Sequence, residues 1–205
     1  MKNSIDILKL GLTLGLICLI AGFALSATYS ITKDKITEQQ RKALVQAQKE
    51  IFPDATEFKK IEISETKVGS ATLKELYECL SENENILGYI ATASTPGYGG
   101  NIIFVLGVNS DFSVKGVKVT EQTETPGLGA NIAKSQFLEQ FNGKTLNDEF
   151  VVKKDVKPVT SATISSRSIT NGIKEILNFT SKNVKEEQMR NLINIFKNGI
   201  IKENP

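Results

Sequence analysis

Between Leu10 and Thr32 no residue is charged, and most positions are Leu, Ile, Ala, Gly or Phe. About 20 such residues as helix cross a bilayer core, so the pattern predicts one transmembrane helix within residues 1–32. Beyond it Ile36, Ala43, Leu44, Ala47 and Ile51 continue an apolar stripe at helical spacing. This predicts a helical stem over 33–53 that stops near Phe52-Pro53, because the residue before a proline is pushed out of helix. The period then changes. Glu75–Leu80 and Ile86–Ser94 flank a polar turn, and Ile102–Val108 and Val114–Thr120 flank Asn109-Ser110-Asp111-Phe112. Both pairs read as β-hairpins. In the last run Val114, Val117 and Val119 alternate imperfectly with Lys115 and Lys118.

Further on, Ile132, Phe137, Leu138 and Phe141 predict a helix over Asn131–Phe141, closed by Asn142-Gly143. Val151-Val152 reads as a short strand. Ile169, Ile173, Ile176 and Leu177 predict a helix capped at Ser165 or Ser166, with a further apolar helix over Met189–Ile201. An antiparallel sheet with helices packed on it, an α+β domain over 54–205, follows from this order.

Composition narrows the chemistry. The 205 residues carry a net charge of +2, two cysteines and no histidine. Without histidine there is no Ser-His-Asp triad, His-ligated haem or His-containing zinc site. Two cysteines cannot complete an all-cysteine iron–sulfur centre within the chain. Cys18 lies in the apolar segment and Cys79 in a predicted strand, so both are expected to pack as small hydrophobes. The near-neutral charge and lack of basic runs give no reason to expect a nucleic-acid partner. Electrons, if this chain moves them, need an organic carrier.

The apolar segment has a rival reading as a cleavable signal peptide, since Ala24-Leu25-Ser26-Ala27 resembles a cleavage site. Its length and the helical stripe directly after it favour an uncleaved anchor, and Gly15-Leu16-Ile17 before Cys18 is not a lipoprotein-processing context. Gly11 and Gly15 form a small-xxx-small pair on which another membrane helix can pack. Lys2 and Lys9 precede the segment, while Lys33, Lys35, Arg41 and Lys42 follow it. Counting charges alone slightly disfavours an outer-face domain, but long domains translocate largely regardless of such charges.

Candidate chemistry concentrates at Thr160-Ser161-Ala162-Thr163, directly ahead of a predicted helix. Small residues allow close backbone approach, and a helix N-terminus offers free N–H groups and a positive dipole end to a phosphate. An ordinary capped strand–turn–helix join fits the same spacing. Two Gly-rich loops accompany it: Glu124-Thr125-Pro126-Gly127-Leu128-Gly129, and Thr95-Pro96-Gly97-Tyr98-Gly99-Gly100-Asn101-Ile102. Six of the eight residues in the second recur in Thr125–Ile132. Such clusters mark turns with close backbone approach, and Tyr98 is a candidate stacking aromatic.

These blocks resemble the FMN-binding domain family, found in the G subunit of Rnf complexes and the C subunit of sodium-pumping NADH:quinone reductases. Its flavinylation motif runs roughly Asp-Gly-x-Ser/Thr-Gly-Ala-Thr. Thr160, Ala162 and Thr163 match it, while Lys157, Pro158 and Ser161 depart from it. The resemblance implies FMN in phosphoester linkage to Thr163, attached by a separate flavin transferase. It places Thr160, Ser161, Ala162, Glu124, Thr125, Gly127, Leu128, Gly129 and Tyr98 around the flavin. Lys153, Lys154 and Lys157 lie close in sequence as cations that could offset a phosphate, although a solvated strand end is the commoner use of such lysines, and no role is assigned to them. It further implies an electron relay in an Rnf-type ferredoxin:NAD complex, with membrane and iron–sulfur subunits as partners and the domain on the extracytoplasmic side of the cell membrane. The alternative is a membrane-tethered ligand-binding or structural module without covalent flavin.

Overall fold

The computed structural model describes residues 2–201. The chain divides into two compact units, Met1–Ala43 and Leu44–Pro205. One helix, α1, runs unbroken over Lys2–Ile51. Thus no break separates the expected anchor from the expected stem. Among the described residues it is the helix apolar and long enough to cross a membrane, with a window of mean hydropathy 2.2. The large apolar side chains of that segment are exposed, Leu12 and Phe23 by three-quarters, unlike those of a core helix.

In the second unit the sheet comprises β1 (Glu57–Ile61), β2 (Thr66–Val68), β3 (Ala71–Leu80), β4 (Ile86–Pro96), β5 (Asn101–Asn109) and β6 (Val114–Glu121). All pairings are antiparallel in the order β1-β3-β4-β5-β6, with β2 also on β3. Both predicted hairpins are present, β3–β4 and β5–β6. The central strands are buried on both faces. Tyr89, Ala91, Ala93, Phe104, Leu106 and Val108 meet Ile169, Ile173 and Ile176 of α3 (Thr163–Ile201). Ile90, Val105 and Cys79 face the other way, onto Ala47, Ile51 and Phe52 at the end of α1. Gly88 and Gly107 leave room there, since a Cβ at either would overlap Phe52 or Ile51.

The imperfect alternation in β6 has a structural cause. The β5–β6 register shifts between Gly107 and Val108, so Val108 faces Val114 while Gly107 faces Gly116. The extra residue, Lys115, changes the phase and lets both Val114 and Val117 enter one core. Lys74 does the same in β3 between Leu73 and Leu76.

Three sequence expectations need correction. The helix over Asn131–Phe141 is three short pieces: a 3-10 turn at Gly129–Ala133, α2 (Ser135–Leu138) and a 3-10 turn at Glu139–Phe141. Lys134, extended at φ −75° and ψ 142°, interrupts it, although Ile132, Phe137, Leu138 and Phe141 are all buried. Val151-Val152 is no strand. Left-handed residues at Phe150 (φ 54°) and Lys153 (φ 74°) bracket it, leaving one isolated bridge from Val152 to Val156. Finally, Met189–Ile201 belongs to α3 instead of forming a separate helix.

Candidate functional site

The sequence between Val156 and α3 has no regular structure, and its hydrogen bonds explain how it turns. The Lys157 amide donates to Gln140 Oε1 (2.8 Å), and Gln140 Nε2 donates to the Lys157 carbonyl (3.1 Å). The Ala162 amide closes a turn on the Val159 carbonyl (3.1 Å). Ser161 adopts φ +61°, the left-handed region that favours glycine. Ser166 N donates to the Ala162 carbonyl (2.9 Å) as α3 begins, so the amides of Thr163, Ile164 and Ser165 lie ahead of the helical ladder, the kind of donor group that suits an anion.

The helix thus starts at Thr163, two or three residues before the expected cap at Ser165 or Ser166. Ser165 and Ser166 turn inward instead. Ser165 Oγ donates to Glu124 Oε2 (2.6 Å), while Ser166 Oγ donates to the Ala162 carbonyl (2.8 Å) and accepts from the Val159 amide (3.0 Å).

A cavity of about 330 Å³ opens at this helix end, lined by Tyr98, Glu124, Thr125, Leu128, Gly129 and residues 161–165. Its volume lies within the range of small-molecule sites. Eight of the ten residues singled out from the sequence line it. Gly127 and Thr160 are not part of the lining, and neither are Lys153, Lys154 or Lys157. Ile164 and Ser165 are lining residues that sequence reasoning missed; their positions just past the motif were the available signal. Lys154 pairs with Glu149 instead.

The lining combines polar and apolar residues. Thr163 is half-buried among the first-turn amides. Tyr98, Leu128 and Ile164 of the lining are exposed by 71%, 45% and 57%, apolar surface suited to a planar ring. Gly97 N donates to the Gly100 carbonyl (2.7 Å), which makes the β4–β5 loop a tight turn presenting Tyr98. Asn131 Nδ2 donates to the Gly127 carbonyl (2.8 Å), which fixes the second loop. A threonine hydroxyl in the first turn of a helix, with Tyr98, Leu128 and Ile164 among the same lining residues, is a donor set that fits an FMN. Among the described residues no cluster of His, Cys, Asp and Glu fit for a metal is present.

Comparison with known proteins identifies the family. Residues 97–178 match the FMN-binding domain family, and residues 1–51 match the RnfG N-terminal region. The G subunit of the Na(+)-translocating ferredoxin:NAD(+) oxidoreductase complex of Acetobacterium woodii is 31% identical over 183 residues, covering 82% of this chain and 88% of that protein. Its proton-translocating counterpart from Clostridium ljungdahlii is 32% identical over 179 residues, covering 85% and 90%. Among solved structures, Shewanella oneidensis NqrC is similar at a TM-score of 0.44 and 20% identity, over 60% of this chain and 65% of that one. The chain belongs to the family of G subunits of ion-translocating oxidoreductase complexes and carries that family's FMN-binding domain.

Proposed function

We propose that this chain is an electron relay of a membrane-bound, Rnf-type ferredoxin:NAD oxidoreductase, and that its FMN is joined by a phosphoester to Thr163. One observation carries the reading: the Thr163 hydroxyl sits at the first turn of a long helix, on the wall of a cavity between two Gly-rich loops. FMN supplies two-electron uptake with one-electron release. The residues of the chain bind and orient it. The amides of 163–165 and the dipole of α3 would hold the phosphate; Thr125, Leu128 and Gly129 would form one wall; and Tyr98 would stack on the ring.

A phosphoester needs no catalytic base in the mature protein, consistent with a chain that has no histidine. Attachment falls to a separate flavin transferase, and electrons pass to and from iron–sulfur and flavin subunits of the same complex. The exposed apolar stretch of α1 anchors the chain once in the cell membrane, with the flavin domain on the extracytoplasmic face. Sodium and proton pumps occur among relatives of nearly equal identity, and the ion path lies in other subunits, because the Leu10–Thr32 segment offers no carboxylate.

Coexpression with a flavin transferase tests the reading. The denatured protein should keep its in-gel flavin fluorescence, mass spectrometry should place FMN on the Thr163 peptide, and Thr163→Ala should abolish both. Yellow colour lost on denaturation would point to a reversible ligand-binding module instead.

A further inference from the structure

Two loops of the same chemistry converge on one carboxylate. Glu124 is 5% exposed. Its Oε1 accepts from the amides of Tyr98 (2.7 Å) and Gly99 (3.1 Å), and its Oε2 accepts from the Ser165 hydroxyl (2.6 Å). Its own amide donates to Gln122 Oε1 (2.6 Å). A Cβ on Gly97 or on Gly129 would overlap this carboxylate, so glycines in both repeats are small because Glu124 passes between them. One glycine of each Thr-Pro-Gly-x-Gly run is thereby explained, Gly97 in the first and Gly129 in the second.

A buried carboxylate surrounded by neutral donors is costly unless every oxygen is bonded, and bonds to a charged acceptor are roughly twice as strong as neutral ones. Here those bonds join three segments remote in sequence: the β4–β5 loop with Tyr98, the loop following β6, and the first turn of α3 with Thr163. We propose that Glu124 is the positioning residue of this site, fixing Tyr98 relative to Thr163 across the cavity through the groups it holds. The inference rests on Thr163 as the flavin acceptor, but this clasp of three segments by Glu124 is measurable without flavin.

The full-length chain in detergent, with and without coexpressed flavin transferase, supplies the test. In Glu124→Ala, hydrogen exchange at the Tyr98 and Gly99 amides should accelerate at least about tenfold, as for loss of a bond to a charged acceptor. Exchange at Leu106 and Val108 in β5 should not change, and flavin attachment should fall several-fold. In Glu124→Gln the amide oxygen still accepts from both backbone donors and its nitrogen donates to Ser165 Oγ. That variant should recover slow exchange and most of the attachment. Ser165→Ala, which spares the loop contacts, should lower attachment while Tyr98 and Gly99 stay protected. Wild-type exchange at those amides in Glu124→Ala overturns the proposal, as does Glu124→Gln behaving like Glu124→Ala, or full attachment in Ser165→Ala. Absence of flavin on the wild-type chain would overturn the Thr163 reading alone, and the exchange rates would still decide the clasp.

Discussion

Ser161 holds a left-handed backbone in a position where the motif it resembles has glycine. A side chain there costs about 1 kcal/mol through crowding of its Cβ. Ser161→Gly is expected to raise stability by roughly 0.5–1 kcal/mol in urea unfolding, whereas a glycine introduced at an ordinary helical position lowers it. Asp155 gives a second residue-scale expectation. Burial alone would raise its pKa, but bonds from Lys144 Nζ (2.8 Å) and the amides of Val151 (2.6 Å) and Phe150 (3.0 Å) outweigh it and hold the carboxyl at about 2. A depressed folded-state pKa stabilises above the unfolded value, and that stability is lost as pH falls from about 4 towards 2. The contribution is about 1–2 kcal/mol after solvent screening. Asp155→Asn should flatten this part of the acid limb in unfolding experiments between pH 2 and 5. At this scale the sequence revealed most residues that line the candidate cavity, but not how they bond to one another. Tyr98, Thr125, Leu128 and Thr163 were legible because they sit in compact motifs. The inward turn of Glu124 was not, because its partners lie 25 to 41 residues away, and no local pattern encodes such a bond.

The end of α1 is an element with two roles, since its last residues complete the core of the second unit. Cys79 shows how tightly: burial, with the nearby Glu78 charge, pushes its thiol up to about 12. A chain starting at Leu44 should keep Cys79 unreactive towards thiol reagents. One starting at Asp54 loses Ala47, Ile51 and Phe52 from the face over Cys79, Ile90 and Val105. It should react readily and be less stable by on the order of 3 kcal/mol or more. Gly107→Ala should weaken the same contact, through overlap with Ile51, by about 1–3 kcal/mol in urea unfolding. The hairpins were legible because turn residues and β-branched runs are local signals. The phase slips at Lys74 and Lys115 were not, since a bulge is decided by which core the flanking residues must share. The broken helix near Lys134 failed for a related reason: helical spacing of buried residues survives in short 3-10 and α pieces that share one buried side.

For the molecule as a whole, the exposed apolar stretch of α1 predicts retention in membrane pellets after alkaline carbonate washing, with release when residues 1–43 are removed. The cavity is built from stretches around residues 98, 124–129 and 161–165, which meet only after the sheet and α3 have assembled. Its wall contains neither histidine nor cysteine, the side chains whose ordinary titration lies closest to neutrality. Such a wall has little capacity to buffer. If the proposed FMN occupies this cavity, protons that accompany its reduction would come chiefly from the surrounding water. Its potential would then track the acidity of whichever compartment bathes the cavity, making the bound cofactor a reporter of local pH as well as a conductor of charge.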